Sequence, residues 1–160
     1  MKQIIYLSLI LVWASCEKKA MPLDKEKVTQ EVEQMLADYH DDIAESGLTA
    51  EFKYLDQSDD FFWVPPGYNS ALNYDSVKTI LEKNALAFQS ISFQWDTLRI
   101  FPLSYEIVNY TGIVVGQMVD TSGVASKVSI IESGTLIRRK SGWKLLSGQS
   151  AVLDTDSEGS

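Results

Sequence analysis

The sequence has little of several features that define common classes of protein. Its 160 residues include one cysteine, Cys16, and one histidine, His40. A single cysteine excludes a disulfide bond within the chain. The sequence also has no P-loop, no G-x-G-x-x-G turn, no H-E-x-x-H helix and no C-x-x-C pair. These absences exclude the usual nucleotide, dinucleotide and zinc motifs, so we expect neither a cofactor nor a bound metal.

Positive charge is also scarce. The chain carries 14 Lys and Arg against 22 Asp and Glu, a net charge of -8. Most of the excess acid lies between Asp24 and Asp60. An acidic surface repels phosphate backbones and anionic headgroups, so nucleic acid is not an expected partner. We interpret the acidic region as a solvated helical face that keeps the protein soluble.

Long apolar runs are missing as well. The longest covers residues 4–13, roughly half the length that a helix needs to cross a bilayer. Lys2 precedes this run, and the small residues Ala14 and Ser15 follow it directly before Cys16. A basic start, a short apolar segment and a small-residue end form the layout of a secretory signal, predicted here over residues 1–15.

The residues around Cys16 resemble the lipobox of a bacterial lipoprotein. Ala14, Ser15 and Cys16 match its last three positions, although Trp13 stands where that family prefers Leu or Val. The resemblance implies a lipid on Cys16, a tether over residues 16–23, and anchoring to a membrane of the bacterial cell envelope, inner or outer. The alternatives are an ordinary signal peptide with an unmodified cysteine or, without cleavage, a buried thiol.

Residues 24–152 have the patterns of one α+β domain, followed by a polar tail, 153–160, that we expect to be disordered. Apolar residues at three- and four-residue spacing predict a long amphipathic helix, which Gly47 ends: Val28, Val32, Met35, Leu36, Tyr39 and Ile43. A shorter helix begins at Leu48, the strand "FFWV" follows, and Asp75 is the expected cap of a third helix.

From Ile91 onward the pattern alternates between apolar and polar residues. Three further β-rich runs, 105–119, 125–139 and 143–152, are separated by "DTSG" and "KSG". Such short connections predict an antiparallel meander. Glycines inside the runs indicate a strongly bent sheet, whose concave side commonly encloses a pocket.

In order and local pattern, the chain resembles the nuclear transport factor 2-like superfamily, especially its SnoaL-like members. The resemblance rests on the long first helix, "SDDFFWVPPG", "YDSVKTIL" and the closing "GWKLLSGQS". It implies a cone-shaped, strongly curved antiparallel sheet packed with about three N-terminal helices, often dimeric through its outer face. Members include isomerases, cyclases, dehydratases and non-catalytic binding domains, so the fold alone selects no function.

The last predicted strand holds Ser147 and Gln149 where many relatives carry histidines. Neither side chain titrates near neutral pH, so neither replaces a histidine base. Gln149 can donate and accept hydrogen bonds, either to a ligand or to backbone groups at the end of the strand.

Asp60, next to Asp59, directly precedes the apolar "FFWV" and is the candidate catalytic residue. At a pocket rim its pKa would rise toward that of a general base, as in the isomerase branch of the superfamily. The alternative is a loop stabilised by Asp side chains that bond to nearby backbone. His40 lies off the apolar stripe, so we expect it to be solvated and not to bind a metal. Among the aromatic residues, Tyr39, Trp63 and Trp95 are the expected anchors of an apolar cavity.

Two functions remain after these observations. The first is a membrane-tethered, non-catalytic binding, accessory or dimerisation domain that holds a small apolar ligand. The second is a cofactor-free isomerase or hydrolase of a small carbonyl compound. Asp60 would be its base, with Tyr39 or Gln149 as hydrogen-bond donor. The position of Asp60 relative to these two residues separates the hypotheses.

Overall fold

The computed structural model describes residues 22–153. The predicted signal 1–15, Cys16, most of the tether 16–23 and the tail from residue 154 lie outside the described residues. The helices lie in the first part of the chain and the four long strands follow them, which confirms the predicted α+β class. Over the described range, no helix is both long and apolar enough to cross a membrane.

Helix α1, Lys25–Ser46, follows the predicted stripe and ends at Gly47, whose φ is 80°. At its start, the Asp24 carboxylate accepts a 3.0 Å hydrogen bond from the backbone N–H of Lys27 and caps the helix. The buried face of α1 is wider than the predicted apolar stripe. It also includes His40, which lies beside Tyr39 and is only 7% exposed. The prediction of a solvated His40 is therefore wrong.

A 3₁₀ helix, Leu48–Lys53, takes the place of the expected second helix. Strand β1 covers Phe62–Val64, and helix α2 covers Tyr74–Ala85. The cap of α2 is Asn73, whose side-chain oxygen accepts a hydrogen bond from Ser76 N at 3.0 Å. Asp75, the expected cap, lies inside the first turn instead.

Four long strands complete the sheet: β2 Phe88–Pro102, β3 Ile107–Asp120, β4 Ala125–Arg139 and β5 Gly142–Val152. They form the predicted antiparallel meander. The order across the sheet is β1-β5-β4-β3-β2, and β1 pairs with β5 in parallel. This parallel pair, which the sequence pattern did not predict, places Trp63 opposite Gly148.

The strand glycines allow aromatic rings to lie flat on the inner face of the sheet. Each ring comes from the neighbouring strand: Trp95 covers Gly112, Phe93 covers Gly116, Tyr110 covers Gly134 and Trp63 covers Gly148. A Cβ atom added at Gly148 would lie 2.5 Å from the Trp63 ring, far inside van der Waals contact. These glycines thus leave room for the rings, in addition to permitting the bends for which they were predicted.

The hydrophobic core differs between the two ends of the sheet. At what we call the closed end, side chains of β3, β4 and β5 pack against the first half of α1. The almost fully buried residues here are Val108, Leu136 and Trp143 in the strands and Val28, Val32 and Leu36 in the helix. Hydrogen bonds from Asp24 N to the Tyr105 hydroxyl and from Arg138 to Glu31 hold α1 at this end. At the open end, Val114, Met118, Val128 and Ile130 face an internal cavity.

Candidate functional site

The cavity at the open end has a volume of about 350 Å³, a size typical of small-ligand sites. It lies between the helices and the concave face of the sheet, as expected for a curved sheet. Most of its wall is apolar, with contributions from α1, the 3₁₀ helix, α2 and all five strands. The polar and titratable side chains in the wall are few: Tyr39, His40, Glu51, Trp63, Asn84, Glu132 and Ser150.

Glu132 reaches the cavity from the middle of β4. Side chains alternate along a strand, so Val128, Ile130 and Glu132 share one face. The Tyr110 hydroxyl donates a 2.6 Å hydrogen bond to Glu132 Oε1. Burial disfavours the charged carboxylate and raises the pKa of Glu132 to about 7, although the bond from Tyr110 acts in the other direction. Glu132 therefore exchanges its proton near neutral pH.

Glu51 contributes a second carboxyl group from the 3₁₀ helix. Burial raises its pKa to about 8, and the negative charge of Glu132 adds to this rise, whereas hydrogen bonding to Tyr39 opposes it. Burial and the nearby carboxylates also raise the pKa of the Tyr39 hydroxyl well above its usual value. The interactions connect Glu51, Tyr39, Glu132 and Tyr110, which form what we call the acid cluster.

His40 supplies no positive charge to balance the acid cluster. Its ring stacks on that of Trp95, with centroids 5.2 Å apart and planes inclined by 27°. Burial lowers the pKa of His40 to about 4, so the imidazole is neutral at pH 7. Along residues 22–153, no Lys or Arg lines the cavity. The wall is consequently acidic and apolar.

Trp63 and Ser150 add a polar contact at the edge of the sheet. The indole Nε1–H of Trp63 donates a 3.2 Å hydrogen bond to the Ser150 hydroxyl. Ser150 is the register partner of Glu132, and both side chains line the cavity. Because Trp63 lies against Gly148, the close packing of β1 on β5 positions this contact.

Two of the four predicted binding residues line the cavity. Tyr39 and Trp63 do so, as expected from their aromatic character. Trp95 points toward the same side of the sheet but lies outside the cavity lining. There it packs beneath His40 and makes an edge-to-face contact with Tyr110, with the ring centroids 5.9 Å apart. The predicted place of Trp95 in the cavity wall is therefore wrong. Gly112 has no side chain, so the Trp95 ring packs flat against the sheet at this position.

Gln149 and Ser147 also lie outside the cavity lining, and a β-bulge explains why. Leu136 pairs with Leu145, whereas the preceding Thr135 pairs with Ser147, so Leu146 is an extra residue. This residue reverses the alternation that Trp143 and Leu145 begin. Gln149 is consequently exposed on the outer face, and Ser150 takes the inward position.

Asp60 is not at the rim of the pocket, which corrects its predicted position. It is exposed in a tight turn, closed by a 3.1 Å hydrogen bond from Phe61 N to Ser58 O, and does not line the cavity. The structural carboxylate of this loop is Asp56, which is 4% exposed and accepts two hydrogen bonds from Arg139, at 2.6 and 3.1 Å. These bonds lower the pKa of Asp56 to about 2.

Sequence reasoning missed Glu51, Glu132 and Ser150. For Glu132 a signal was present, since it follows Ile130 and precedes Leu136 at even spacing within one strand. For Glu51 no such signal exists, because a short 3₁₀ helix has no strong periodicity. Among residues 22–153, no group of three or more His, Cys, Asp or Glu is placed to hold a metal ion.

No protein-family model and no curated protein matches this chain. Solved structures with the same fold are numerous, but they share little sequence. A protein assigned as a dehydratase of the NTF2-like family, from Streptomyces avermitilis, has a TM-score of 0.68 and 13% identity over 80% of this chain and 98% of its own. A second protein, from Xanthomonas campestris, is assigned as a calcium/calmodulin dependent protein kinase II association domain. It has a TM-score of 0.66 and 13% identity over 79% of this chain and 88% of its own.

A hexachlorocyclohexane dehydrochlorinase is similar to the same degree, with a TM-score of 0.63 and 15% identity over 81% of this chain and 87% of its own. The three similar proteins differ in the function assigned to them, whereas their architecture agrees with the helices and curled five-stranded sheet described above. The fold of this chain is therefore the nuclear transport factor 2-like fold, as the resemblance in sequence implied.

Proposed function

We propose that this chain is a lipoprotein of the bacterial cell envelope whose domain binds a small, mostly apolar molecule without transforming it. The observation that supports this function best is the cavity of about 350 Å³, apolar over most of its wall and polar at the acid cluster. Such a division fits a ligand with an apolar body and one polar group. Binding is the simplest role for a site in which Gln149 and Ser147, at the positions where relatives keep histidines, lie outside the cavity lining.

A second function, catalysis by proton transfer, is favoured by one observation. Glu132 has a pKa of about 7, lies in the cavity wall and is bonded to Tyr110, so its carboxyl group could exchange protons with a bound molecule. In the cofactor-free isomerase or hydrolase of a small carbonyl compound, Glu132 would take the role first given to Asp60. Dehydratase and dehydrochlorinase assignments among the similar structures are compatible with this chemistry.

Native mass spectrometry of the mature domain tests the binding function. We expect a copurifying small molecule, retained by the wild type and lost in Val128→Trp, because Val128 lines the cavity and the indole would fill it. The control is Val124→Trp, since Val124 is 60% exposed in the turn between β3 and β4. Equal occupancy in the two variants would place the ligand elsewhere and refute the proposal.

The catalytic alternative has a separate test. Exchange of the α-hydrogens of cyclohexanone in D₂O, followed by proton NMR, reports proton abstraction next to a carbonyl. Catalysis by the cavity predicts faster exchange with the wild type and with the surface control Glu33→Gln than with Glu132→Gln. The same slow exchange with all three proteins counts against this enzyme and leaves binding as the function.

The lipid on Cys16 is proposed from the sequence alone. Palmitate labelling of the full chain, expressed in bacteria, should mark the wild type and not Cys16→Ala, because the thiol is the acceptor. Labelling that persists in the variant would refute the lipoprotein assignment. The membrane that holds the lipid follows from fractionation of the labelled cells.

A homodimer through the outer face of the sheet is the remaining part of the proposal. Ile113 and Ile131 are register partners on this face, opposite the cavity-lining Val114 and Ile130. Ile131 is 44% exposed, and its outward neighbours Ser129 and Ser133 are uncharged. A second copy of the chain can pack there without bringing like charges together, whereas the acidic face of α1 would repel a copy of itself.

A further inference from the structure

We propose that the ligand of this cavity is an apolar amine, bound as its ammonium ion beside Glu51 and Glu132. The inference rests on the proposed binding function and adds the chemical class of the ligand. Three independent features of the cavity wall support it: the balance of charge, the aromatic faces and the hydrogen-bonding groups that are available.

The balance of charge favours a cation. Glu51 and Glu132 are close enough for the charge of one to oppose ionisation of the other, and neither faces a basic side chain in the cavity lining. Among residues 22–153, His40 is the one group in the wall that could become positive, but it is stacked on Trp95 and stays neutral at pH 7. Buried carboxylates are costly unless they are paired, and an ammonium ion from the ligand can supply the missing partner.

The aromatic side chains favour the same charge. Tyr39, Trp63, Phe88 and Phe93 all line the cavity. Aromatic faces attract cations, and the attraction grows when the site is shielded from water. The apolar residues between these rings would hold the hydrocarbon body of the ligand.

The hydrogen-bonding groups of the wall also suit an ammonium ion. The Tyr110 hydroxyl already donates to Glu132, and the Trp63 indole N–H already donates to Ser150. Acceptors in the wall include the carboxyl oxygens of Glu51 and Glu132, while the Asn84 amide, the His40 ring and the Ser150 hydroxyl also carry donors. When both carboxyl groups are ionised, their oxygens form the largest set of acceptors in the wall. An ammonium group has three donors and no acceptor, whereas an alcohol has one donor and a carboxylate has none. A bare metal ion is a weaker fit, since no cluster of three metal-ligating side chains exists among residues 22–153.

The binding step has a defined proton balance. Near neutral pH the two carboxyl groups share protons, because their pKa values lie at about 7 and about 8. An ammonium ion that binds between them favours both carboxylates, so a proton leaves the pair and passes to the buffer. Tyr39 and Tyr110 face the same carboxyls and remain protonated, because burial raises the pKa of both hydroxyls.

Isothermal titration calorimetry with two matched probes tests this inference. The probes are 2-phenylethylamine, a cation at pH 7, and 2-phenylethanol, its neutral isostere. We expect the amine to bind at least about tenfold more tightly than the alcohol, as a paired charge in a dry site requires. In buffers of different ionisation enthalpy, the amine should release up to about one proton per site, and the alcohol none.

Charge-removing variants locate the effect. Glu132→Gln and Glu51→Gln keep the side-chain volume, and each should reduce the preference for the amine at least about fivefold and decrease proton release. Glu33→Gln removes one charge from the exposed face of α1 and should leave the preference unchanged. Thermal unfolding of each variant confirms that the domain remains folded.

The outcomes separate this inference from the function on which it rests. Tighter binding of the alcohol, or equal binding of both probes without proton release, overturns the amine and leaves a binding cavity. Binding of neither probe also overturns the amine, while the native mass spectra decide the binding function independently. A preference for the amine that Glu33→Gln lowers as much as Glu132→Gln would reflect the net charge of the protein, and that result overturns the site.

Discussion

The two ends of one curved sheet differ in how their interior is filled. At the closed end, Val108, Leu136 and Trp143 are covered by the first half of α1, and side chains fill the interior. At the open end, β3, β4 and β5 continue with similar apolar residues, but a cavity of about 350 Å³ remains between them and the helices. Both ends have the same alternating strand pattern. The difference is that the open end also contains titratable groups, Glu51 and Glu132.

This contrast separates a tightly packed region from a hollow one within a small domain. A filled interior gains from every methylene that it buries, whereas a cavity forgoes that gain and retains space for a ligand. Carboxyl groups that would be harmful in the closed end are tolerable in the open end, where they contact the cavity. Four predictions test the contrast, beginning with the largest expected effect.

Truncation should cost far more at the closed end than at the open end. Leu136 is 0% exposed, so Leu136→Ala should lower the free energy of unfolding by about 3 kcal/mol through lost burial and the void it leaves. Val128→Ala enlarges a cavity that already exists and should cost less than about 1 kcal/mol. Urea denaturation measures both, with Leu86→Ala as the control because Leu86 is 80% exposed. Equal losses at Leu136 and Val128 would contradict the contrast.

The second largest effect on stability is expected at Asp56, the buried carboxylate in the loop before β1. Asp56→Asn should lower the free energy of unfolding by about 2 kcal/mol, because it removes the charge that pairs with Arg139. The pKa of Asp56 is below its ordinary value, so this contribution is present above about pH 4 and disappears as the pH falls toward 2. Unfolding measured from pH 2 to pH 7 gives the difference between wild type and variant. Asp60→Asn, on the exposed turn, should change little, and a loss there as large as that at Asp56 would contradict the assignment.

The acids of the cavity should behave in the opposite way. The pKa values of Glu132 and Glu51 are raised, so the folded state holds protons that the unfolded chain has released. The free energy of unfolding should therefore fall by more than about 1 kcal/mol as the pH rises from about 6.5 to about 8. Below this range the neutral, buried ring of His40 has the opposite effect, because its pKa is lowered to about 4. The double variant Glu51→Gln with Glu132→Gln should lose most of this dependence, whereas Glu33→Gln should keep it. A wild-type stability that rises across this range would refute the raised pKa values.

The smallest change in stability is expected on the outer face. Ile131→Lys places a charge on an exposed position and should alter the free energy of unfolding by less than about 0.5 kcal/mol. If the sheet dimerises there, the same variant should be monomeric, since it brings two like charges together at the interface. Native mass spectrometry reports the subunit number, and Gln30→Lys on the exposed face of α1 is the matched control. A dimer that survives Ile131→Lys and not Gln30→Lys would place the interface on α1.

Much of the fold could be predicted from periodicity because each element satisfies a local rule. The stripe of α1, its end at Gly47 and the three antiparallel connections all follow from spacing and turn residues. The parallel pairing of β1 with β5 could not be predicted in this way. It joins Trp63 to Gly148, residues far apart in sequence, through a tertiary contact that no local pattern encodes.

The candidate site was harder than the fold to predict from the sequence, and the physical reason differs from residue to residue. The extra residue Leu146 reverses the inward and outward positions in the second half of β5. As a result Ser150, and not Gln149, lines the cavity. His40 is buried because α1 packs against Phe93 and Trp95 along a face wider than its apolar stripe. Asp60 lies in an exposed turn close in sequence to Asp56, whose contact with Arg139 joins residues far apart along the chain.

One measurement tests the difference between the two ends most directly: methyl NMR spectra of the folded domain, recorded while 2-phenylethylamine or 2-phenylethanol is added. The account predicts that the methyl signals of Val114, Val128 and Ile130 shift as the cavity fills. Those of Val108 and Leu136, buried in the closed end, should stay in place. Shifts of similar size at both ends, or shifts confined to the outer Ile113 and Ile131, would contradict a ligand site at the open end.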